Sequence, residues 1–538
     1  MIEIRGLILA GFLKRVGQLI LPPEVEIRKR RLELTIWAFL LSLAYYPGWF
    51  GFLAWFSLVR PLIILSRLKG REAFWAAYFY AFFINAFAIY WVAQVTAPGI
   101  FAACLIVSFY FATIFTIFNK LYHSKPIYGI VALPFLWTGL EYFRTLSEFA
   151  FPWGDLGYTQ SYYLYVLQIV SVISVHGLSF LIVAVNVLLW QMLRSEVDVA
   201  RRVTALFVSL AVVLSLVAYG WVVTPPIPVP GKYPVAVLQG SVPVNIKWAD
   251  ANEEYSFHLY DSLARSIKEK VNLVVWPETA APSYLSHVAA RRVQLQKLAA
   301  DMSTCHLVGA LGARQEGERW RHFNSAYFFD SSGAFVARYD KVKLVPFTEQ
   351  APYQDDLPFL RKDFLTEYLT FIETYDVAFW SDFYPGDSAM TFEAAGVWFA
   401  PLICYEVTFP EYVRAMILDG ADYMVEITND TWFGHSLGIH MHSQAFVTRA
   451  VENRCWGVRA ANSGLSYLVD NYGRIRQELP LDSVAVLTGK LNLMNGYSVF
   501  TRVGDVAGKV SLLITGLSAA ILLFRWSFNK ARSRRVSR

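Results

Sequence analysis

Cys404, Glu278 and Lys341 are residues whose types and places in the chain could together run covalent chemistry on a carbonyl. Cys404 closes the apolar run Val397 to Ile403 and opens the polar turn Tyr405-Glu406. A strand that breaks sharply into a turn can present a nucleophile, and the reactive form of cysteine is the thiolate, which needs a cation or a base nearby. Glu278 ends the run Leu273-Val274-Val275-Trp276-Pro277-Glu278. Pro277 has no N–H for a ladder bond, so strand pairing should weaken there. A carboxylate beside Trp276 is expected to be partly desolvated with its pKa raised, which suits a general base. Lys341 lies in Tyr339-Asp340-Lys341-Val342-Lys343-Leu344-Val345-Pro346-Phe347. As a buried ammonium it would ease ionisation of the thiol and stabilise an oxyanion. Each residue also has a plainer reading. A lone Cys after a strand is more often a small core residue. A strand-end Glu is more often a surface acid, and Lys343 shows how ordinary a solvated lysine is after a hairpin.

The elements that must hold these groups alternate. Val235 to Gln239, Leu273 to Trp276, Leu307 to Leu311, Ala326 to Phe329, Phe335 to Tyr339, Val397 to Ile403 and Tyr423 to Ile427 read as strands. Tyr255 to Lys268, Ser286 to Met302 and His442 to Trp456 read as helices. Asp330-Ser331-Ser332-Gly333 is a hairpin signal. The order predicts an α/β sandwich with its polar residues at strand ends, where sites on open α/β sheets form.

This water-facing stretch, residues 224–507, is flanked by lipid-compatible sequence. The 538 residues are 55% hydrophobic with a mean hydropathy of +0.38, and the excess is concentrated before residue 224 and after 507. A bilayer crossing needs about 20 apolar residues. Spans are expected near 33–46, 48–66, 73–95, 98–119, 126–143, 161–193, 203–223 and 508–526. That gives an N-terminal transmembrane bundle over 1–223, with about seven spans. It also gives a C-terminal transmembrane helix with a basic tail over 508–538. The span at 48–66 follows the first directly at Tyr46-Pro47-Gly48 and could instead form a hairpin with it. The run at 161–193 exceeds one span and either tilts or lies partly at the interface. Basic residues fall in alternate loops: Arg28 to Arg31, Arg67 to Arg71, Lys120 and Lys125, Arg194 to Arg202, and Arg525 to Arg538. By the positive-inside rule these loops and the C-terminus are cytoplasmic, and 224–507 lies on the opposite side. A cleavable leader is disfavoured, because no small-residue cleavage site follows Ile8 to Leu21. Pro225, Pro226, Pro228 and Pro230 make a stiff exit linker. Net charge is +6 with no nucleic-acid motif, and nucleic acid is not an expected partner.

The motifs resemble those of the nitrilase superfamily, and with the spans the chain resembles the apolipoprotein N-acyltransferase family. The matching stretches are Leu238-Gln239-Gly240 with Lys247-Trp248, Val275 to Glu278, Tyr339 to Lys341 with Leu344 to Phe347 and Glu349, Ile403 to Glu406, and Thr428-Asn429-Asp430 with Trp432-Phe433-Gly434. In the apolar half, Phe151-Pro152-Trp153 with Leu156-Gly157-Tyr158 also match. The resemblance implies a polytopic α-helical membrane bundle plus an α/β (αββα) nitrilase-like sandwich, with Glu278, Lys341 and Cys404 as catalytic triad. Glu349, Tyr405 and Glu406 would support it and Trp248 would contact substrate. It further implies ping-pong transfer of a fatty acyl chain from a phospholipid, through a Cys404 thioester, to the amine of a diacylglyceryl-cysteine on an apolipoprotein. The setting implied is the periplasmic side of a bacterial inner membrane, with no cofactor. Thr348 departs from the family, which usually has Gly there. The aromatic stretch Tyr353 to Tyr384 lies near the family's lid and either dips into lipid or packs as an insertion.

Other readings compete. His435, His440 and His442 lack the i, i+4 spacing of a zinc helix, so no metal is expected. Cys305 and Cys455 could pair on an oxidising side, and Cys104 reads as packing in a span. A membrane-tethered nitrilase or amidase acting on small amides would share the triad. A polytopic protein carrying a degenerate module would bind without catalysis, but buried charges marking a transport path are few in the spans.

Overall fold

The computed structural model describes residues 23–194, 197–247, 253–317, 319–357, 359 and 382–536. Its first half is a helical bundle of α1 (Pro23–Leu43), α2 (Gly70–Ala88), α3 (Ala97–Ser124), α4 (Pro126–Phe143), α5 (Val170–Met192) and α6 (Val199–Val223). Among the described residues four helical stretches are long and apolar enough to cross a membrane: Gly99–Ser124, Val170–Met192, Val199–Val223 and Val506–Arg532. The expected span at 48–66 is a 3-10 turn, Trp49–Trp55, followed by a short helix, Val59–Leu65. Its broken backbone is satisfied from within. Asn186 of α5 accepts from Leu58 N at 2.9 Å and donates to Ala54 O at 2.8 Å, as non-helical backbone without water requires. The long run at 161–193 is likewise divided. A turn of helix at Leu164–Leu167 precedes α5, and α5 itself breaks at Ser174, where φ is +66°.

The second half is two sheets face to face. The first contains β1 (Tyr233–Gln239), β2 (Leu273–Val275), β3 (Ala281–Tyr284), β4 (Cys305–Glu316), β5 (Arg319–Phe329) and β6 (Phe335–Asp340). The second contains β7 (Phe392–Ala394), β8 (Val397–Ile403), β9 (Tyr423–Thr428), β10 (Gly457–Ala461), β11 (Tyr467–Val469) and β12 (Ile475–Glu478). A last strand, β13 (Ala485–Leu491), returns to pair antiparallel with β1. The orders are β13-β1-β2-β4-β5-β6, with β3 on β4, and β12-β11-β10-β9-β8-β7. The helices α7 (Glu253–Arg265), α8 (Ala289–Met302), α9 (Pro410–Leu418) and α10 (Leu437–Asn453) complete this half. A final helix, α11 (Val506–Val536), packs back on the bundle, with Thr515 donating to Phe135 O at 3.2 Å.

Period-2 alternation builds the layers. Val235 and Val237 of β1 join the core cluster shared with the second sheet, while Ala236 and Leu238 join another with Phe257 and Tyr260 of α7. Phe328 stacks on Phe392 at 5.2 Å across the sheet interface. Strands β1, β2 and β4 run parallel, as do β8, β9 and β10. Their C-terminal ends deliver Glu278, Cys404 and Asn429.

Candidate active site

Cys404 follows β8 and opens the 3-10 turn Cys404–Thr408. Its φ is +51°, a conformation costing a residue with a Cβ roughly 1–2 kcal/mol, so the surroundings must enforce it. Two groups do so. The buried Glu406 carboxylate accepts from Ile403 N at 2.8 Å. On the other side His442 Nε2 of α10 donates to the Cys404 carbonyl at 3.1 Å. His442 is held by Asp430 at 2.9 Å, and Asp430 by Arg459 at 2.9 Å.

Glu406 also reaches across to the lysine loop. Its Oε1 accepts from Tyr339 Oη at 2.6 Å, Val342 N at 2.7 Å and Lys343 N at 3.2 Å. One carboxylate thereby ties the Cys404 turn to the chain around Lys341. Lys341 is 1% exposed and its Nζ stands 2.8 Å from Glu349 Oε1 and 3.9 Å from Glu278 Oε1. Asn324 of β5 donates to both carboxylates, at 2.6 Å to Glu278 and 3.2 Å to Glu349. The other Glu278 oxygen accepts from Asn429 N at 2.8 Å. Thus Glu278, Lys341, Glu349 and Cys404 converge, and Lys343, by contrast, lies over Phe409 and Tyr412.

Two expectations need correction. Trp276 does not supply an apolar wall for Glu278: it faces the outer layer, stacked on Tyr260 at 5.3 Å, and the carboxylate is held by polar groups. The Thr348 departure also costs nothing in placement. The left-handed residue of that turn is Phe347, at φ +61°, so Thr348 needs no glycine-like backbone and Glu349 reaches Lys341. Trp248 lies outside the described residues, as does most of the stretch from Tyr353 to Tyr384. Cys104, Cys305, Cys404 and Cys455 are all free thiols. Among the described residues no group of His, Cys, Asp and Glu is arranged to hold a metal. His435 pairs with Asp482 near the surface instead.

The electrostatics favour a neutral resting thiol. Burial pushes Cys404 well above its ordinary value, the Glu278 charge adds to this, and Lys341 opposes it. For Lys341 burial acts downward, but the Glu349 and Glu278 carboxylates outweigh it and hold the ammonium.

The site lies against the helical bundle. Tyr405 Oη donates to Ala150 O at 2.9 Å and its ring lies 6.0 Å from that of Trp153. Trp153 packs edge-on against Trp91 and His442. Arg144 pins this loop, donating to Phe151 O at 3.1 Å and to Trp153 O, and pairing with Asp155 at 3.3 Å. Sequence reasoning missed Asn324, and it left His442 near the site, as the family resemblance implies, without its contact to the Cys404 carbonyl. The signal for Asn324 was a polar residue at an inward position of β5, a strand that begins earlier than its apolar run.

A Cys, a Lys and two Glu gathered at strand ends of a two-sheet sandwich define a carbon–nitrogen hydrolase fold, here joined to a membrane bundle. The "Carbon-nitrogen hydrolase" family matches residues 234–499, and "Apolipoprotein N-acyltransferase N-terminal domain" matches residues 37–188. A protein of Geobacter metallireducens named apolipoprotein N-acyltransferase is 32% identical, over 94% of this chain and 98% of that protein. One of the same name from Azotobacter vinelandii is 30% identical, over 93% and 94%. The chain belongs to the apolipoprotein N-acyltransferase family. Among solved structures, an amidase of the nitrilase superfamily from Nesterenkonia AN1 is 20% identical over 50% of this chain and 93% of that one, with a TM-score of 0.36.

Proposed function

We propose that the protein moves a fatty acyl chain from a phospholipid to the N-terminal amine of a diacylglyceryl-cysteine on apolipoproteins, by a ping-pong route through Cys404. The observation that carries the reading is the strained Cys404 turn, held beside Lys341 and Glu278 and turned toward the membrane loop through Tyr405 and Trp153. In the first half-reaction Glu278 takes the thiol proton and sulfur attacks the ester carbonyl. The C–S bond forms, the ester C–O bond breaks, and the proton leaves with the lysophospholipid. Lys341 stabilises the oxyanion. In the second, the neutral amine attacks the thioester, Glu278 accepts its proton, the C–N bond forms and the thiol is restored. Glu349 and Glu406 hold Lys341 and the nucleophile turn, and Tyr405 lines the site. An amine competing with water needs a dry, lipid-filled site, which a membrane bundle supplies.

The proposed topology has 1–223 as the membrane bundle, 224–507 as a periplasmic catalytic domain, and 508–538 as a helix ending in the cytoplasm. Gathering of the basic loops at one end of the bundle supports it. Arg30 pairs with Glu72 at 2.7 Å, Asn119 donates to Leu65 O and Leu68 O, and Arg194 lies over Tyr122.

Intact-mass measurement of the protein in phospholipid micelles, beside Cys404→Ser, tests the scheme. A fatty-acyl gain on the parent, removed by neutral hydroxylamine and absent from the variant, is expected. A folded parent that gains no acyl mass while it hydrolyses small amides would overturn it.

A further inference from the structure

Beneath the site lies a second buried lysine that the scheme above does not use. Lys247 ends the helical turn Val244–Lys247 after β1 and is 2% exposed. Its Nζ donates to the main-chain carbonyl of Glu278 at 2.9 Å.

That carbonyl belongs to a turn with little freedom. Thr279 has φ +48°, and Ala280 N closes on Pro277 O at 3.2 Å. On the β4 side Gly309 approaches so closely that a Cβ there would stand 2.2 Å from Pro277 O and 2.7 Å from Glu278 Cα. The Glu278 turn is thus gripped by bare backbone on one side and by the Lys247 Nζ on the other. A buried carbonyl left without a donor is costly, so the lysine bond fixes where the carboxylate starts from.

The charge matters as much as the bond. Burial pushes Lys247 down to about 7, and the Glu278 carboxylate acts against that fall. The attraction is mutual. The other charged groups facing Glu278 are Lys341 at 3.9 Å, with Glu349 a further 2.8 Å beyond its ammonium, and the Cys404 thiol. Two carboxylates therefore share Lys341, and a thiolate would add a third negative charge.

We propose that Lys247 is a positioning residue for the base, holding the Glu278 turn through its main chain and supplying a second positive charge beside the carboxylate. The inference rests on Glu278 being the base. The full-length protein in phospholipid micelles is treated with iodoacetamide from about pH 6 to pH 10, and Cys404 alkylation is followed by intact mass beside acyl-thioester formation. Lys247→Gln keeps a donor without the charge, and Lys247→Arg keeps both. The expected result for Lys247→Gln is a fall in both rates at neutral pH of about tenfold or more, with the profile moved along the pH axis and KM for phospholipid unchanged. Lys247→Arg should stay within about threefold of the parent at pH 6, where both side chains carry the charge. A Lys247→Gln protein whose rates and profile superimpose on the parent overturns the proposal. So does equal loss in both variants with an unmoved profile and a lowered Tm. Should Gln at 247 not fold, a loss beyond about tenfold in Lys247→Arg at pH 6 overturns it and a parental rate there supports it. Parental rates in Glu278→Gln overturn the base assignment and this inference together, whereas parental rates in Lys247→Gln alone leave the base assignment standing.

Discussion

Glu406→Gln isolates what one buried carboxylate does for the nucleophile. Glu406 accepts four bonds: from Tyr339 Oη, Val342 N and Lys343 N on one oxygen, and from Ile403 N on the other. Glutamine keeps the volume and can keep its oxygen toward the first three. Its NH2 then meets Ile403 N–H, donor against donor, one residue before Cys404. The unpaired buried N–H costs about 1–3 kcal/mol. Conversion of the remaining charge-assisted bonds to neutral ones costs about 1 kcal/mol more. At 1.36 kcal/mol per decade, a total of roughly 2–4 kcal/mol is roughly 30- to 900-fold in rate if it falls on the attack step. Stability should fall less than rate, because burial already pushes the Glu406 carboxyl up and glutamine relieves that cost. The assay is acyl-thioester formation by intact mass, with Tm measured beside it. Tyr339→Phe removes one donor and leaves both backbone bonds on that oxygen, so it should remain within about tenfold. Parental acylation by folded Glu406→Gln, or an equal loss in Tyr339→Phe, would refute the claim that this carboxylate sets the turn.

Three further outcomes follow from the same geometry. Since burial raises the Cys404 thiol, its alkylation in Glu278→Gln, where no carboxylate takes the proton, should climb about tenfold per pH unit through pH 9 without a plateau, a thiol with ordinary pKa bending over there; the other three cysteines, all buried, serve as internal controls. Asp430 is held down to about 2, because Arg459 and His442 outweigh burial. Its contribution, about 2–3 kcal/mol, is present above the ordinary carboxylate range and lost as pH falls toward 2, so Asp430→Asn should flatten the acid side of a Tm-against-pH curve as well as lower Tm at neutrality. Gly309→Ala forces a Cβ into the Pro277-Glu278 backbone and should cut acyl-thioester formation by about a hundredfold or more with β4 otherwise intact, as near-attack geometry is lost.

The strands that carry the site were legible because their apolar runs end abruptly in polar motifs: β8 at Cys404 and β9 at Thr428 are seen within a residue of their observed ends. β3, β7 and β10 to β13 were not, for a physical reason. β3 has Pro282 in a four-residue strand, β12 is mostly exposed, and β13 carries Thr488, Gly489 and Lys490. Their pairing comes from neighbours rather than from local pattern. β4 and β5 run beyond their apolar centres because long antiparallel pairing carries polar residues with it. In the site, the ionisable groups announced themselves through strand-end motifs, while Asn324, Lys247 and the His442 contact did not. Each of those acts through a partner distant in sequence, such as Asn324 on Glu278, and a chain read locally contains no record of which carbonyl or carboxylate a side chain will meet. The broken helix at Ser174 was equally hidden, because Asp505, which accepts from its hydroxyl at 2.7 Å, lies in a different part of the chain.

That last contact bears on how the protein is made. Asp505 also binds His176, and just beyond it α11 closes on α4 so tightly that a Cβ on Gly139 would stand 2.6 Å from Ser511 O. The ribosome delivers α4 and α5 long before α11, at about 5–20 residues per second. For tens of seconds, roughly, the inserted bundle therefore waits with a bare flank and with His176 held by Asp155 alone while the sandwich is translated. Lipid or an insertion chaperone must cover that flank in the interval, and a nascent chain stopped before α11 presents it to membrane proteases.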